Sequence, residues 1–277
     1  MEWNWLLSLV YGAVGGFFEF LPVPPGAQQS LLLKLCGAAD HGWLRLPVYI
    51  GCLLAVFLTY YSRLAKIQRE KRIAAIAVRK RKRQPDMISL MESRLLRTAM
   101  IPLLISIVLV PLLSQYFRRM WVLAIILCVN GAAILFPQYV SGSNKDARSL
   151  SPLDAFLIGL SAFVGVIPGL SRMTGMIACA KMRGCDQQYA LDFTYMLLIP
   201  ALALMCIAEV VVMVTGGTGA FSGWMILFGI LALVSSTAAA MAGIHLMRFL
   251  AVKIGFSGFA YYSIGLGMFT FILYLIG

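Results

Sequence analysis

Two charged residues, Glu19 and Arg172, lie beside clusters of glycine and proline that interrupt long apolar stretches. The clusters are residues 22–26 and 168–169. A helix that begins after such a break leaves backbone N–H groups unpaired, and its dipole makes this end positive. Two such helix starts, together with the planar donor fork of an arginine, suit a phosphate group. The pattern therefore predicts one anion-binding site formed by both breaks.

This predicted site contains candidates for catalysis and for binding. Catalysis would use Glu19, Ser171 and Arg172, and Glu19 is also the candidate ligand of a metal ion, Mg²⁺ or Ca²⁺. The candidates for contact with the phosphate or its lipid are Gly26, Gln28, Gln29, Gly169, Ser171, Arg172 and Thr174. A second interpretation makes Glu19 and Arg172 a structural ion pair that ties the two breaks together. It does not exclude contact between Arg172 and an anion.

The composition places these residues in a membrane. Of the 277 residues, 61% are hydrophobic and 12% are charged, whereas soluble domains usually carry about 25% charged residues. Apolar runs close to the roughly 20 residues of a membrane span occur at 46–61, 95–113, 120–140, 189–215, 224–246 and 256–276. We therefore predict a single all-α integral membrane domain over residues 1–277, with about six transmembrane helices.

Residues 3–38 and 153–182 are also apolar, but the breaks leave each half short for a span. A kinked helix is one interpretation. Clustered breakers followed by polar residues favour a re-entrant hairpin, because unwound backbone at membrane depth must line a cavity or be buried in protein. One hairpin in each half, 1–113 and 120–277, entering from opposite sides, predicts an inverted repeat with a site near the membrane midplane.

A dense basic run at residues 63–83 sets the expected topology. It could bind nucleic acid, bind anionic lipid or fix the orientation in the membrane. Nucleic acid is disfavoured, since no aromatic residues interleave with the cations of 79–83. Short basic loops stay in the cytoplasm, so we predict a cytoplasmic loop at 63–94. If 153–182 is re-entrant, nearly all loop cations share that side and the C-terminus lies outside.

The sequences EFLPV at 19–23 and PGLSR at 168–172 resemble two motifs of the undecaprenyl-pyrophosphate phosphatase family, also called bacitracin-resistance proteins. Residues 47–56 and 199–201 resemble further segments, so the resemblance extends over nearly the whole chain. It implies a fold with two re-entrant hairpins in an inverted repeat and a place in the bacterial cytoplasmic membrane. The implied substrate is a C55 polyprenyl carrier with a pyrophosphate head, dephosphorylated on the outer face.

Several motif positions of that family carry other residues in this chain. The family has a glutamate at Gly15, serines at Pro24 and Pro25, a histidine at Gln28, a serine at Met173 and a threonine at Met176. Glutamine does not exchange a proton near neutral pH, and loss of a general acid–base typically costs about 10²–10⁴ in rate. The groups needed to bind a phosphate remain.

The leading hypothesis is therefore a phosphatase-like protein that binds undecaprenyl phosphate or pyrophosphate in the bilayer. It would act in translocation or recycling of this carrier lipid for cell-envelope synthesis. The alternative is an active undecaprenyl-pyrophosphate phosphatase with a rearranged site. The sequence leaves open whether the chain is an enzyme and whether it forms a homo-oligomer.

Overall fold

Helices make up almost all of the structure. The computed structural model describes residues 4–40, 42–76, 83–113, 120–139, 144–167, 169–215, 223–253 and 255–276. Within these ranges the chain forms ten α-helices and no β-strand. The helices are α1 (Trp5–Glu19), α2 (Pro25–Cys36), α3 (Arg45–Ala75), α4 (Met87–Leu113), α5 (Met120–Leu135), α6 (Pro152–Ser161), α7 (Arg172–Met182), α8 (Gln187–Thr215), α9 (Gly223–Lys253) and α10 (Ser257–Ile276).

Four of these helices are long and apolar enough to cross a membrane. They are α3, α8, α9 and α10, with 31, 29, 31 and 20 residues. At about 1.5 Å per residue, a helix of about 20 residues matches the roughly 30 Å hydrocarbon core of a bilayer. The other two predicted spans form α4 and α5, which border residues 114–119 outside the described ranges. The chain is a multi-pass, all-α membrane protein, as predicted.

Both broken segments form helical hairpins, as predicted. The arms α1 and α2 have 15 and 12 residues, and the arms α6 and α7 have 10 and 11. Each arm is therefore about 15–23 Å long, which is shorter than the bilayer core. A 3₁₀ turn at Ala162–Val166 continues α6 towards the tip of the second hairpin.

The local sequence sets where the arms begin and end. Ser171 caps α7, while Pro25 occupies the first turn of α2, where its missing N–H is not needed. At the other end of the second hairpin, Asp154 in the first turn of α6 forms ion pairs with Lys145 and with Arg183, which follows α7. The second hairpin therefore begins and ends on the same side of the bundle.

The helix contacts repeat in two related halves. Helix α1 of the first half packs against α9 of the second half, and α6 of the second half packs against α4 of the first half. Likewise α3 contacts α9 while α8 contacts α4, and the pairs α3–α8 and α5–α10 each join equivalent helices of the two halves. These exchanged contacts relate α1–α5 to α6–α10, as an inverted repeat requires, but the predicted boundary between the halves is wrong, because α5 belongs to the first half and not to 120–277.

The two hairpins enter the bundle from opposite ends. Hairpin α1–α2 is followed by Asp40, which forms an ion pair with Arg45 at the start of α3. Hairpin α6–α7 lies at the other end, where α3 and α9 finish. We call this second end the basic end, because it carries Lys145, Lys181, Arg183, Arg248 and Lys253.

The prediction of a basic loop over 63–94 is wrong in its bounds. Helix α3 continues to Ala75 and α4 begins at Met87, so all the cations from Arg63 to Arg72 are on a helix. Lysine, arginine, glutamate and alanine are good helix formers, and they extend α3 beyond its apolar part. The densest cations, at 79–82, lie outside the described ranges.

The turn before α4 depends on an ionised Asp86. Its carboxylate accepts hydrogen bonds from the backbone N–H of Ile88 and the hydroxyl of Ser89, both at 3.0 Å, and it pairs with Lys66 at 2.9 Å. The hydrogen bond from Lys66, followed by that from Ser89, lowers the pKa of Asp86 from 3.8 to about 2. Because the pKa is lowered on folding, this stabilisation is present above pH 3.8 and is lost as the pH falls towards 2.

We therefore expect Asp86→Ala to lower the unfolding temperature at pH 7, and we expect the difference from the parent to shrink below about pH 4. Thermal unfolding of the purified protein in detergent at several pH values measures this. Asp86→Asn, which keeps an acceptor without a titrating group, is the matched control. An equal difference for Asp86→Ala at pH 7 and pH 3 would contradict the assignment.

Candidate functional site

The tips of the two hairpins meet around one buried ion pair. Arg172, the first residue of α7, donates from Nη2 to Oε1 of Glu19, the last residue of α1, at 3.0 Å. The two side chains are only 11% and 4% exposed. The second guanidinium nitrogen, Nη1, contacts the sulfur of Met205 on α8. The sequence placed Glu19 and Arg172 at one junction, and the structure does bring them together.

Arg172 reaches Glu19 past a glycine. A Cβ atom at Gly165, in the 3₁₀ turn, would lie 1.8 Å from Cγ of Arg172, which is far inside van der Waals contact. Any side chain at this position would displace the guanidinium without changing its charge. The absence of a side chain at Gly165 therefore allows Arg172 to reach Glu19.

Asn130 joins the two hairpin tips and was missed by the sequence argument. It is fully buried in α5, and its Oδ1 accepts a hydrogen bond from the backbone N–H of Ser171 at 3.0 Å. Its Nδ2 donates to the carbonyl of Pro22 and to Oγ of Ser263, each at 3.2 Å. A single amide within the apolar run 120–140 was the available signal, because buried polar side chains in a membrane must be paired.

The hydroxyls of Ser171 and Thr174 have different duties. Thr174 donates from Oγ1 to the carbonyl of Pro22 at 2.8 Å, which fixes α7 against the tip of the first hairpin. Ser171 accepts at Oγ from the backbone N–H of Thr174 at 3.4 Å, as an N-cap. The hydroxyl proton of Ser171 is therefore not needed for the cap, whereas that of Thr174 is committed to structure.

The glutamines of the first hairpin are held apart from each other. Gln28 accepts at Oε1 a hydrogen bond from the hydroxyl of Tyr262 on α10 at 3.1 Å, and its buried Nε2 has no partner among the described residues. Gln29 lies on the other side of α2, where its Nε2 is 2.3 Å from the place that a Cβ on Gly15 would take. The amide of Gln29 therefore occupies the space where a longer side chain at position 15 would begin.

The two glycines in the predicted site also differ. Gly26, at the start of α2, faces open space, and α2 has no side-chain cap, so the N–H groups of its first turn are available to a ligand. Gly169 has φ +97°, a left-handed conformation that favours glycine, and its Cα side packs on Leu123 and Ile126. Gly169 therefore shapes the tip, while Gly26 remains open. Pro168 lies outside the described ranges.

The residues at the junction do not form a metal site by themselves. In the described part of the chain, no group of three or more His, Cys, Asp and Glu side chains could hold a metal ion. The carboxylate of Glu19 is paired with Arg172, whose charge repels a cation. An ion held by one carboxylate and by the phosphates of a substrate stays a prediction for Glu19.

Comparisons with known proteins show which family the chain is similar to. A family model described as Bacitracin resistance protein BacA matches residues 8–269. An undecaprenyl-diphosphatase of Nocardioides sp. (strain ATCC BAA-499 / JS614) is 24% identical over 279 residues, covering 99% of this chain and 98% of that protein. The undecaprenyl-diphosphatase of Roseobacter denitrificans is 27% identical, covering 94% and 95%, and that of Corynebacterium efficiens is 27% identical, covering 99% and 92%.

Proposed function

We propose that this chain, which belongs to the bacitracin resistance protein family, hydrolyses the pyrophosphate of a polyprenyl carrier lipid such as undecaprenyl pyrophosphate. The observation that carries the proposal is the buried junction of the two hairpin tips, where Glu19 pairs with Arg172 and the buried Ser171 precedes Arg172 in the chain. Relatives similar over almost their whole length are named undecaprenyl-diphosphatase. These names favour hydrolysis over the binding-only hypothesis that the sequence placed first.

Arg172 is suited to hold the pyrophosphate while it reacts. A guanidinium has five N–H donors, and the contacts with Glu19 and with the sulfur of Met205 use two of them. The remaining donors, with the uncapped first turn of α2 at Gly26, would face the phosphate oxygens and offset the charge that develops on them. Glu19 fixes the direction of the fork and keeps the arginine from turning away.

Ser171 is the better candidate for the nucleophile, because the hydroxyl of Thr174 donates its hydrogen bond to the carbonyl of Pro22. In this scheme Oγ of Ser171 attacks the terminal phosphorus, and its proton passes to Glu19. The anhydride P–O bond breaks, and the lipid monophosphate leaves with the proton from Glu19. Water then cleaves the phosphoserine, which releases inorganic phosphate and restores the hydroxyl.

The first test is phosphate release from farnesyl pyrophosphate by the purified protein. We expect Glu19→Gln and Ser171→Ala each to reduce the rate by about 10²-fold or more, because one loses the proton acceptor and the other the nucleophile. Ser62→Ala, which changes an exposed serine on α3, is the matched control and should keep the parental rate. Absence of phosphate release by the parent would overturn the proposal.

One observation favours a second candidate, binding without hydrolysis. Gln28 stands where the family motif has a histidine, and Gln29 fills the space next to Gly15, where that motif has a glutamate. Both changes remove groups that can exchange protons, while Arg172 and the start of α2 can still hold a phosphate. Saturable binding of farnesyl pyrophosphate with no phosphate release would establish this candidate in place of the first.

The orientation in the membrane is part of the proposal. Cations gathered at the basic end favour its placement in the cytoplasm of a bacterium, since short basic loops are retained on that side. The start of hairpin α1–α2 and the C-terminal end of α10 would then lie on the outer side. A divalent cation, Mg²⁺ or Ca²⁺, would bind through the substrate phosphates and Glu19 in this proposal.

A further inference from the structure

A cavity of about 250 Å³ lies on the side of the hairpin junction that faces the basic end. It begins at Pro22 and Thr174 and continues along one face of α7, where Ile177, Ala178 and Lys181 follow at helical spacing. Glu19, Ser171 and Arg172 do not line it, so it shares Pro22 and Thr174 with the site described above but not the ion pair.

Hydrogen bonds from Thr174 and Asn130 to the carbonyl of Pro22 lie between the cavity and the junction. Thr174 lines the cavity and donates to the carbonyl of Pro22 at 2.8 Å, which closes the gap between the two hairpin tips. Arg172 and Ser171 precede Thr174 by less than one helical turn and lie at the junction. The cavity and the junction are therefore neighbours along α7.

Three polar side chains line the basic end of the cavity, and each of them can donate a hydrogen bond. They are the ammonium of Lys181, the amide of Gln187 and the hydroxyl of Ser257, contributed by α7, α8 and α10. The Nε2 of Gln187 is buried and has no hydrogen-bond partner among the described residues. A buried N–H donor without a partner is costly, and a small turn of the Gln187 amide towards an acceptor in the cavity would remove this cost.

The ion pairs at this end leave the ammonium of Lys181 available to bind an anion. The nearby buried acid of the hairpin, Asp154, is already shared between Lys145 and Arg183. In the part of the chain that the structure describes, Lys181 takes part in no ion pair, and no carboxylate lines the cavity. An ammonium, an amide N–H and a hydroxyl around a space without acids form a site for an anion rather than for a cation.

The rest of the wall limits which anion fits. Ile134, Pro137, Ile177 and Phe256 make the rest of the wall apolar. The volume of about 250 Å³ is just below the usual range for ligand pockets, so it suits a small headgroup with the first carbons of a chain. A phosphate monoester has this shape, with an anionic head and an apolar stem.

We propose that this cavity is a second binding site, which holds a phosphate monoester through Lys181, Gln187 and Ser257. The proposal rests on the proposed function only for the source of the ligand, which would be the lipid monophosphate left after hydrolysis. The same donors would also bind inorganic phosphate, the other product. Two ligands of the same chemistry therefore have to be compared.

The test measures binding of farnesyl phosphate and of inorganic phosphate to the purified full-length protein by calorimetry. We expect Lys181→Met to weaken farnesyl phosphate binding about ten- to a hundredfold, because it removes a charge-assisted hydrogen bond to the phosphate. Gln187→Leu should weaken it by a smaller factor, and this second variant serves if Lys181→Met does not fold. Lys181-dependent binding of inorganic phosphate alone would overturn the lipid form of the proposal.

Lys34 supplies a matched control from the other half of the molecule. It lies in the last turn of α2, as Lys181 lies in the last turn of α7, but it is exposed and does not line the cavity. A cation in the last turn offsets the helix dipole, so both methionine variants lose that effect. Lys34→Met should bind farnesyl phosphate as the parent does. Equal affinity of the parent and Lys181→Met would overturn the proposal.

The same experiment separates this inference from the proposed function. Phosphate release from farnesyl pyrophosphate reports on the junction, whereas binding of farnesyl phosphate to the Arg172→Ala variant reports on the cavity alone. Lys181-dependent binding in a protein that releases no phosphate would support the cavity and defeat the hydrolase. Phosphate release together with monophosphate binding that does not depend on Lys181 would support the hydrolase and defeat the cavity site.

Discussion

Arg172→Lys is expected to reduce phosphate release from farnesyl pyrophosphate by about 10³-fold or more. Lysine keeps the positive charge but replaces a planar fork by a single ammonium. At this junction the fork must reach Glu19 at 3.0 Å and still present donors to the substrate. An ammonium drawn to Glu19 has no second rigid arm for the phosphate, so headgroup binding should be lost together with turnover.

A steady-state assay with the purified variant measures this loss. Arg94→Lys, an exposed arginine of α4, is the matched control and should leave the rate unchanged. Gly165→Ala provides an independent check, because its Cβ would push the Arg172 side chain away while leaving the charge in place. If Arg172→Lys hydrolysed the substrate at the parental rate, Arg172 could not be the group that holds the phosphate.

The sequence was sufficient to predict that Glu19 and Arg172 meet. Each stands beside a cluster of helix breakers in an apolar stretch, and an unpaired charge at membrane depth needs a partner. The sequence could not identify Asn130, because one amide in an apolar run does not indicate which carbonyl or N–H it faces. The sequence also could not show that the amide of Gln29 lies next to Gly15, because this depends on how α2 packs against α1.

Arg63 was misjudged for another reason. Its position in a run of cations suggested a solvated loop. Arg63 instead lies on helix α3, and its side chain faces acids of α4 and α8. Charge density along the chain predicted the end of the molecule at which these residues lie. It did not predict that one of them faces inward, because that depends on acids in helices distant in the sequence.

Arg63→Met is expected to lower the free energy of unfolding by about 3 kcal/mol. Arg63 pairs with Asp192 at 2.9 Å and with Glu92, and so joins α3 to α8 and α4. Asp192 also accepts a hydrogen bond from Tyr60 and lies 3.4 Å from Arg248. Removing one partner of a buried pair typically costs about 3–5 kcal/mol, and the 32% exposure of the Arg63 side chain puts this case at the lower end.

Unfolding of the purified protein by denaturant, followed by circular dichroism, measures the change. The double variant Arg63→Met/Glu92→Leu is the informative control, because it removes the carboxylate that would otherwise stay buried without its partner. A buried ion pair replaced by apolar side chains is often neutral, so the double variant should recover much of the lost stability. Equal stability of the single and double variants would show that the buried charge of Glu92 is not the cause.

The Arg63 cluster, formed by Arg63, Glu92 and Asp192, is also connected to the hairpin junction through packed side chains. The ring of Tyr60 packs against Tyr195 with centroids 5.9 Å apart, and the hydroxyl of Tyr195 donates to the carbonyl of Phe20 at 2.9 Å. Phe20 follows Glu19 directly, so movement of α3 against α8 would shift the carboxylate that orients Arg172. At a temperature where Arg63→Met remains folded, we therefore expect slower phosphate release as well. A parental rate under those conditions would confine the cluster to a role in stability.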